Sequence, residues 1–173
     1  MKSRITAALI GALMSATPAI AQDAPAEVAN NTQFGDWTVA CQAVTVARNI
    51  CRLVQEQKMR DTKTLVARLI AFPTDKGGAV LLAQVPMGVY LPGGAVFRLE
   101  GNDDEPQQEM IWQRCIGDVC EAALALDADM MAKMTKAGAI LFGYRGDISS
   151  EPIITRVSLE QFSNGIDALR VPN

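Results

Sequence analysis

The stretch Phe34-Gly35-Asp36-Trp37-Thr38-Val39-Ala40-Cys41 sets the pattern for the rest of the chain. Trp37, Val39 and Cys41 alternate with polar or small residues, and this period of two predicts a strand with one buried face. A second strand-like run opens at Cys51. The two cysteines would then lie on neighbouring strands, where one disulfide could join them.

Short β-rich segments separated by Gly- and Pro-rich turns make up most of the chain after Cys51. The segment 79–85 is nearly all apolar, which is typical of a strand buried on both faces. Many short strands at this spacing indicate a mainly β protein, either an antiparallel sandwich or a barrel. The predicted strands are 64–72, 79–85, 95–99, 109–116, 139–145 and 152–159.

One clear helix is predicted over 127–136, and a short helical turn is predicted within 160–169. Asp127 can cap the start of the first helix, and Gly138 is placed to end it. The methionines of this helix are interpreted as core residues, the alternative being an adaptable binding surface. They are Met130, Met131 and Met134.

Residues 1–21 have the pattern of a secretory signal peptide. Lys2 and Arg4 precede an apolar run, and small residues favour cleavage between Ala21 and Gln22. The run is shorter than the ~20 residues that a membrane-spanning helix needs, and polar residues interrupt it. The mature protein is therefore expected to be exported, with no membrane span after the signal is removed.

Residues 22–33 are predicted to be a flexible leader, and residues 34–173 a single domain. The chain has 16 Lys and Arg against 19 Asp and Glu, a net charge of −3. Cleavage removes two basic residues and no acidic one, so the net charge of the mature part becomes −5. This acidic balance argues against nucleic acid and anionic lipid as partners.

The second pair of cysteines can be placed by hairpin geometry. Gly117 and Asp118 form a two-residue loop signature, with Gly at the first central position of a type II′ turn. Cys115 and Cys120 then face each other as a non-hydrogen-bonded pair, within reach of a disulfide. Elimination and proximity leave Cys41 to pair with the remaining cysteine, Cys51.

Four cysteines also invite a metal or redox interpretation. Zinc sites usually pair cysteines at short C-x₂₋₄-C spacing, whereas the first pair here is separated by nine residues and the chain has no histidine. An exported protein lives where thiols oxidise, which favours structural disulfides. Thiol exchange at Cys115 and Cys120 remains the alternative, although redox cysteines typically lie at a helix start.

No catalytic constellation is evident in the sequence. The absence of histidine removes the commonest general base and every Ser-His or Cys-His pair. The densest acidic cluster, Asp103-Asp104-Glu105, could be a calcium loop or an acid/base pair, but it lacks the alternating EF-hand pattern. A solvated loop is favoured. The protein is thus predicted to be no enzyme and to need no cofactor or metal.

Arginines recur within the predicted strands and raise a binding hypothesis. If several shared one sheet face, they would form a basic stripe for an anionic ligand, for which Arg98 and Arg114 are the leading candidates. The alternative, which is favoured, is an ordinary solvated face. These arginines are Arg52, Arg68, Arg98, Arg114, Arg145 and Arg156.

Several short segments together resemble the invasion-associated locus B family of exported α-proteobacterial proteins. The resemblance covers Phe34 to Leu169, with one departure near its end. The family usually has Gly where Gln161 precedes Phe162, and a tighter spacing to Ala-Leu, whereas Ser163-Asn164-Gly165 lengthens the segment here. The segments are Phe34-Gly35-Asp36-Trp37, Cys41 with Cys51, Pro86-Met87-Gly88-Val89, Cys115 with Cys120, Val157-Ser158-Leu159, Phe162 and Ala168-Leu169.

The resemblance implies an immunoglobulin-like β-sandwich with one or two short helices and two disulfides. It also implies a non-enzymatic role at the cell envelope, linked to host-cell invasion or envelope stress. The expected partner is a protein or another envelope component. The expected location is the periplasm, with the outer surface or secretion as alternatives. The family defines no catalytic residues.

Overall fold

The structure is a computed structural model that describes residues 28–46, 48–102 and 104–170. It contains ten strands, a short 3-10 turn and two helices. The strands are β1 (Gln33–Phe34), β2 (Trp37–Thr45), β3 (Arg48–Lys58), β4 (Leu65–Pro73), β5 (Ala79–Pro86), β6 (Ala95–Leu99), β7 (Gln108–Ile116), β8 (Val119–Leu126), β9 (Ala139–Tyr144) and β10 (Ile153–Ser158). The helices are α1 (Ala128–Ala137) and α2 (Phe162–Ala168), and the turn is Leu91–Gly93.

The ten strands form one antiparallel sheet, in the order β1-β2-β3-β4-β5-β8-β7-β6-β9-β10. The mainly β, antiparallel prediction is confirmed, but the two separate sheets of an immunoglobulin-like sandwich are not found. Strand β7 is the reason. Its first residues pair with β6, its later residues pair with β8, and its register shifts between Trp112 and Arg114. A bulge of this kind bends a strand, so β7 carries the sheet round a corner without interrupting it.

Both predicted disulfides are present, and each joins residues directly opposite on adjacent antiparallel strands. Cys41 pairs with Cys51 between β2 and β3, and Cys115 pairs with Cys120 between β7 and β8. Gly117 has a φ of +58°, as the first central position of the predicted type II′ turn requires. The hairpin geometry read from the sequence is therefore confirmed.

Helix α1 also forms as the sequence predicts. The Asp127 carboxylate accepts a hydrogen bond from the backbone N–H of Met130, and Gly138 ends the helix with a φ of +72°. Met131 and Met134 are buried, and Met130 packs against the core. The methionines therefore serve as core residues. The strand predicted at 79–85 has one fully buried face, and its other face is only partly covered.

The sheet curls until its first strands meet its last. Trp37, fully buried at the start of β2, donates its indole N–H to the backbone oxygen of Ser158 at the end of β10, over 2.8 Å. Gly35 lies so close to this junction that a Cβ there would stand 2.5 Å from the backbone oxygen of Glu160. Its φ of +58° favours glycine as well. The Phe-Gly-Asp-Trp segment thus closes the sheet.

Helix α2 covers the junction from the C-terminal side. Phe162 stacks at a tilt on Trp37, with ring centroids 4.8 Å apart. Gly165 faces Leu53 so closely that a Cβ would lie 2.7 Å from its Cδ1 atom. The helix begins after Gln161, which has a left-handed φ of +56°. Gln161, where the family usually has Gly, therefore stands at a backbone position that suits glycine.

The predicted signal peptide, its Ala21–Gln22 cleavage site and the first part of the leader lie outside the described residues. Residues 28–33, the later part of the predicted leader, run along β2. The backbone N–H of Asn31 donates to the oxygen of Val39, and the Asn30 side chain accepts from the N–H of Cys41. In the structure these residues are fixed against the edge of the sheet.

Replacing Trp37 by Phe should lower the free energy of unfolding by about 1–3 kcal/mol, because the oxygen of Ser158 loses a buried donor. Urea denaturation followed by far-UV circular dichroism measures this. The control is Trp112→Phe, since the half-buried Trp112 donates to the oxygen of Leu91 over 3.0 Å where water can replace it. Equal losses in the two variants would contradict the assigned role of Trp37.

Replacing Gln161 by Gly should raise the free energy of unfolding by about 0.5–1 kcal/mol. A left-handed φ costs a residue with a Cβ about 1–2 kcal/mol, and glycine removes this cost. Part of the gain is cancelled because glycine has more conformational freedom in the unfolded chain. The same denaturation measurement tests this. Asn164→Gly is the control, since Asn164 is exposed within α2 and glycine should weaken the helix there. A loss of stability in Gln161→Gly would contradict the expectation.

Candidate functional site

The structure separates the two arginines that the sequence singled out. Arg98 lies on β6 and Arg114 near the hairpin end of β7. Phe97 pairs with Gln108, and Arg114 lies six residues further along β7. At roughly 3.3 Å per residue this places the two arginines about 20 Å apart. They do not form one binding face.

Arg114 instead ends a chain of polar contacts that crosses five strands on the outer face of the sheet. Its Nε donates to Glu121 on β8, and Glu121 accepts from the amide of Gln84 on β5 over 2.7 Å. Arg68 on β4 then donates to Gln84 and to Glu56 on β3. We call this set, which Lys58 completes through a 2.6 Å contact to Glu56, the cross-strand network.

The network holds its carboxylates ionised. The hydrogen bond from Gln84, and then that from Arg114, lowers the pKa of Glu121 below its usual value. The hydrogen bonds from Lys58 and Arg68 lower the pKa of Glu56 in the same way. Since the positive charges of Arg68 and Arg114 are matched by carboxylates, this face is a structural feature of the sheet and does not offer a basic stripe.

Arg98 belongs to a groove of about 420 Å³ on the outer face of β6, β9 and β10, which we call the arginine groove. Its floor includes Val96 and Gly143, which are cross-strand neighbours. Arg145, just after β9, also lines it and donates to the backbone oxygen of Ser150 over 2.6 Å. Within the described part of the chain no carboxylate forms an ion pair with Arg145.

A second groove, of about 380 Å³, lies between the β3–β4 turn and the start of β10, and its lining is almost entirely apolar. We call it the methionine groove. Met59, Met87 and Ile153 line it and are 52%, 54% and 39% exposed. Its floor includes Tyr144, whose hydroxyl donates to the backbone oxygen of Val66 over 2.8 Å. The segment Pro86-Met87-Gly88-Val89, part of the family resemblance, lines this groove.

Strand β10 separates the two grooves and forms an edge of the sheet. Ile153 lines the methionine groove, and the next residue, Ile154, lines the arginine groove and is 63% exposed. Successive side chains of a strand point to opposite faces, which explains this division. On its other side β10 pairs with no strand of the described residues.

Two hydrogen bonds show which backbone groups of β10 point outward. Ser158 pairs with Ala139 across the ladder, yet its oxygen accepts from Trp37. The oxygen of Ala139 accepts from the N–H of Glu100, on the side away from β10. The two partners turn their carbonyl groups away from each other, so they form a non-hydrogen-bonded pair.

Antiparallel pairs alternate between hydrogen-bonded and non-hydrogen-bonded types. Ile154, opposite Gly143, and Arg156, opposite Leu141, are therefore non-hydrogen-bonded pairs as well. Their N–H and C=O groups point towards the free edge of β10. The side chain of Arg156 is held by a bidentate ion pair with Glu100, with contacts of 2.8–3.0 Å.

Several other features bear on chemistry. Among the described residues no group of three or more His, Cys, Asp or Glu side chains could hold a metal ion. In the acidic loop, Glu105 forms an ion pair with Lys133 and Asp104 is exposed, whereas Asp103 lies outside the described residues. Neither described helix has the length and apolar character to cross a membrane.

Sequence reasoning missed the cross-strand network and the free edge of β10. Alternation predicted each strand, but the network depends on which strands are neighbours and on their register. Gln84 is the instructive case. It was part of a segment classed as apolar, yet its amide bridges Arg68 and Glu121. Its polarity within segment 79–85 was the one signal that could have pointed to a network.

Glu121 should make the stability of the protein sensitive to acid. Because its pKa is lowered in the folded state, its contribution is present above the unfolded value, about 4.3, and is lost as the pH falls through the folded value. Glu121→Gln should therefore flatten the decline of unfolding free energy below about pH 5. Urea denaturation at a series of pH values measures this, with exposed Glu151→Gln as control. An unchanged acid slope in Glu121→Gln would contradict the prediction.

Comparisons with known proteins agree with this structure. The family profile described as "Invasion associated locus B (IalB) protein" matches residues 37–170. Two proteins named "Invasion protein B homolog", from Brucella abortus strain 2308 and biovar 1 strain 9-941, are each 27% identical over 139 residues, covering 79% of this chain and 77% of theirs.

A solved structure shares the fold. The crystal structure of invasion associated protein B from Bartonella henselae matches with a TM-score of 0.67 at 16% identity, over 80% of this chain and 92% of that one. The profile match begins at the closing Trp37 and extends past α2, and so covers strands β2 to β10 and both helices. The chain belongs to the invasion associated locus B family.

Proposed function

We propose that this protein is an exported, non-enzymatic component of the cell envelope that acts by binding another protein or envelope component. Two disulfides support export, because such bonds persist in oxidising compartments. The names of its relatives associate them with invasion, and a link to host-cell invasion or envelope stress is part of the proposal. The periplasm is the proposed location, with the outer surface or secretion as alternatives.

The observation that carries this proposal is the cluster of exposed apolar side chains at one end of the sheet. Met59, Met87 and Ile153 line one continuous groove, the methionine groove. Contiguous exposed apolar surface is typical of binding sites, whereas single exposed apolar residues are ordinary. Methionine suits such a surface because its side chain adapts to different partners.

A second candidate function is the binding of an anionic amphiphile in the arginine groove. Arg98 and Arg145 line a depression whose floor is apolar and lacks a side chain at Gly143. An anion with an apolar body would match this combination of charge and surface. A third candidate, thiol exchange, is favoured only by the exposure of Cys115 at the hairpin, since its partner Cys120 is buried.

The export proposal is tested by protease treatment of intact cells, with a known periplasmic protein as control for leakage. Protection until the outer membrane is opened is expected for a periplasmic protein. Digestion while the control survives would place the protein on the outer surface and favour a direct role in invasion. Recovery in the cytoplasmic fraction, with its cysteines reduced, would overturn the proposal.

The binding role is tested in the same cells by photo-crosslinking. A benzophenone amino acid in place of exposed Met87 should form a discrete crosslinked product with an envelope component. The same group at exposed Lys63, in the β3–β4 turn, serves as the matched control. Equal crosslinking from both positions would show that the apolar cluster has no special role.

The anion-binding candidate predicts that the dye 8-anilinonaphthalene-1-sulfonate binds and that salt weakens the binding. Replacing Arg98 and Arg145 together by Ala should weaken it by about tenfold or more, the effect of losing charge-assisted hydrogen bonds. Gly143→Val should also reduce binding, because the groove is filled; an added Cβ lies 3.5 Å from its nearest neighbours, an ordinary contact. Fluorescence titration measures both effects.

Arg114→Ala is the matched control for the anion-binding candidate, because Arg114 lies on the cross-strand network and does not line the groove. Dye binding should be unchanged in this variant. If Arg114→Ala weakened binding as much as the double replacement, the arginine groove would not be the site.

A further inference from the structure

The backbone groups at the free edge of β10 indicate what kind of partner could cover this edge. Ile154 and Arg156 direct N–H and C=O groups away from β9, and no described strand pairs with them. Ile154 and Arg156 are two positions apart along the strand, which is the repeat of the hydrogen bonds that one strand offers a neighbour on one side. Exposed edges of this kind are templates for a further strand, and proteins usually block them with charge, proline or short length.

This edge is only partly blocked. Pro152 precedes the strand, and Arg156 carries a charge, but that charge is engaged by Glu100. The first two residues of the strand, Ile153 and Ile154, are exposed and β-branched. Such residues favour pairing with another strand. The edge is therefore suited to contact with an extended apolar segment.

The methionine groove lies on the same side as this edge. Met59 follows directly after β3, Ile153 begins β10, and both side chains line the groove. Strand β10 also approaches β3. Strand β2 begins at Trp37, and Thr38 pairs with Val54, so the last residues of β3 extend past the start of β2. These residues lead directly into Met59, which lines the groove.

We propose that β10 binds an extended segment of a partner protein by strand addition, with alternate aliphatic side chains of that segment seated in the methionine groove. The inference rests on the proposed binding role and names its mode. The added segment exchanges main-chain hydrogen bonds with Ile154 and Arg156. Every second side chain then points towards Met59, Met87 and Ile153, because side chains alternate along a strand.

A single extended segment fits this place better than a second copy of the protein. Pairing two copies through β10 would bring a whole folded sheet to the edge, where β3 and the β3–β4 turn already lie close. A lone strand needs only about 4.8 Å of width beside β10. A dimer through this edge is therefore an outcome that would overturn the proposal.

Amide hydrogen exchange followed by NMR tests the proposal on the whole mature protein. In the free protein the amides of Ile154 and Arg156 should exchange fast, whereas those of Thr155 and Val157, which face β9, should be protected. The probe is a synthetic octapeptide of alternating valine and threonine with lysine at both ends. Its addition should slow exchange at Ile154 and Arg156 by about tenfold or more.

Two variants separate main-chain pairing from side-chain contact. Ile154→Pro removes an outward N–H that β9 does not use, and should weaken binding of the octapeptide by about tenfold or more. Ile154→Thr keeps this N–H and should bind within about threefold of the original protein. Thermal unfolding confirms that both variants are folded. The same octapeptide with proline at its centre should not bind.

Three results would overturn strand addition. The octapeptide could fail to protect Ile154 and Arg156, Ile154→Pro could bind it as well as the original protein, or the two amides could already be protected in a concentration-dependent way, which would indicate a second copy. None of these results would affect the envelope role, because protease treatment and crosslinking test that separately. Conversely, a cytoplasmic location would overturn the envelope role and leave the peptide result intact.

Discussion

The hydrogen bond from the indole of Trp37 to the backbone oxygen of Ser158 brings the two ends of the sheet together. A fully buried indole N–H without a partner is costly, and this oxygen is the partner that the curled sheet supplies. Around it, Gly35 permits close contact with Glu160, and Phe162 packs on the tryptophan ring. The motifs that identified the family at the two ends of the domain meet at this one junction.

Closure at this junction also explains where the exposed binding features lie. Near Ser158 the edge of β10 is engaged by Trp37, but Ile154 and Arg156, further from the junction, keep outward backbone groups that no strand of the described residues pairs with. The methionine groove opens at the same end of β10. The stable junction and the unpaired edge are thus two parts of one strand. Stability is concentrated at one end, and recognition is proposed at the other.

The outer face illustrates why position along the chain did not reveal function. Arg98 and Arg114 looked alike in sequence, since each lies inside a predicted strand. The structure places Arg114 against Glu121 in a network, and Arg98 in a groove with Arg145. Which residues surround each arginine depends on strand order and register. Neither can be read from alternation within one strand.

The sequence by itself determined the features that depend on near neighbours: the strand β6, the caps of α1, the type II′ turn and the disulfide beside it. Alternation, capping and turn chemistry act over a few residues, so they can be recognised in a short stretch of sequence. Only the tertiary structure decided between a sandwich and one curled sheet, because that choice depends on the bend in β7 and on Trp37 meeting Ser158, 121 residues away. Contacts between residues so far apart produce no periodic pattern in the sequence. The same contacts determine where the free edge and both grooves lie.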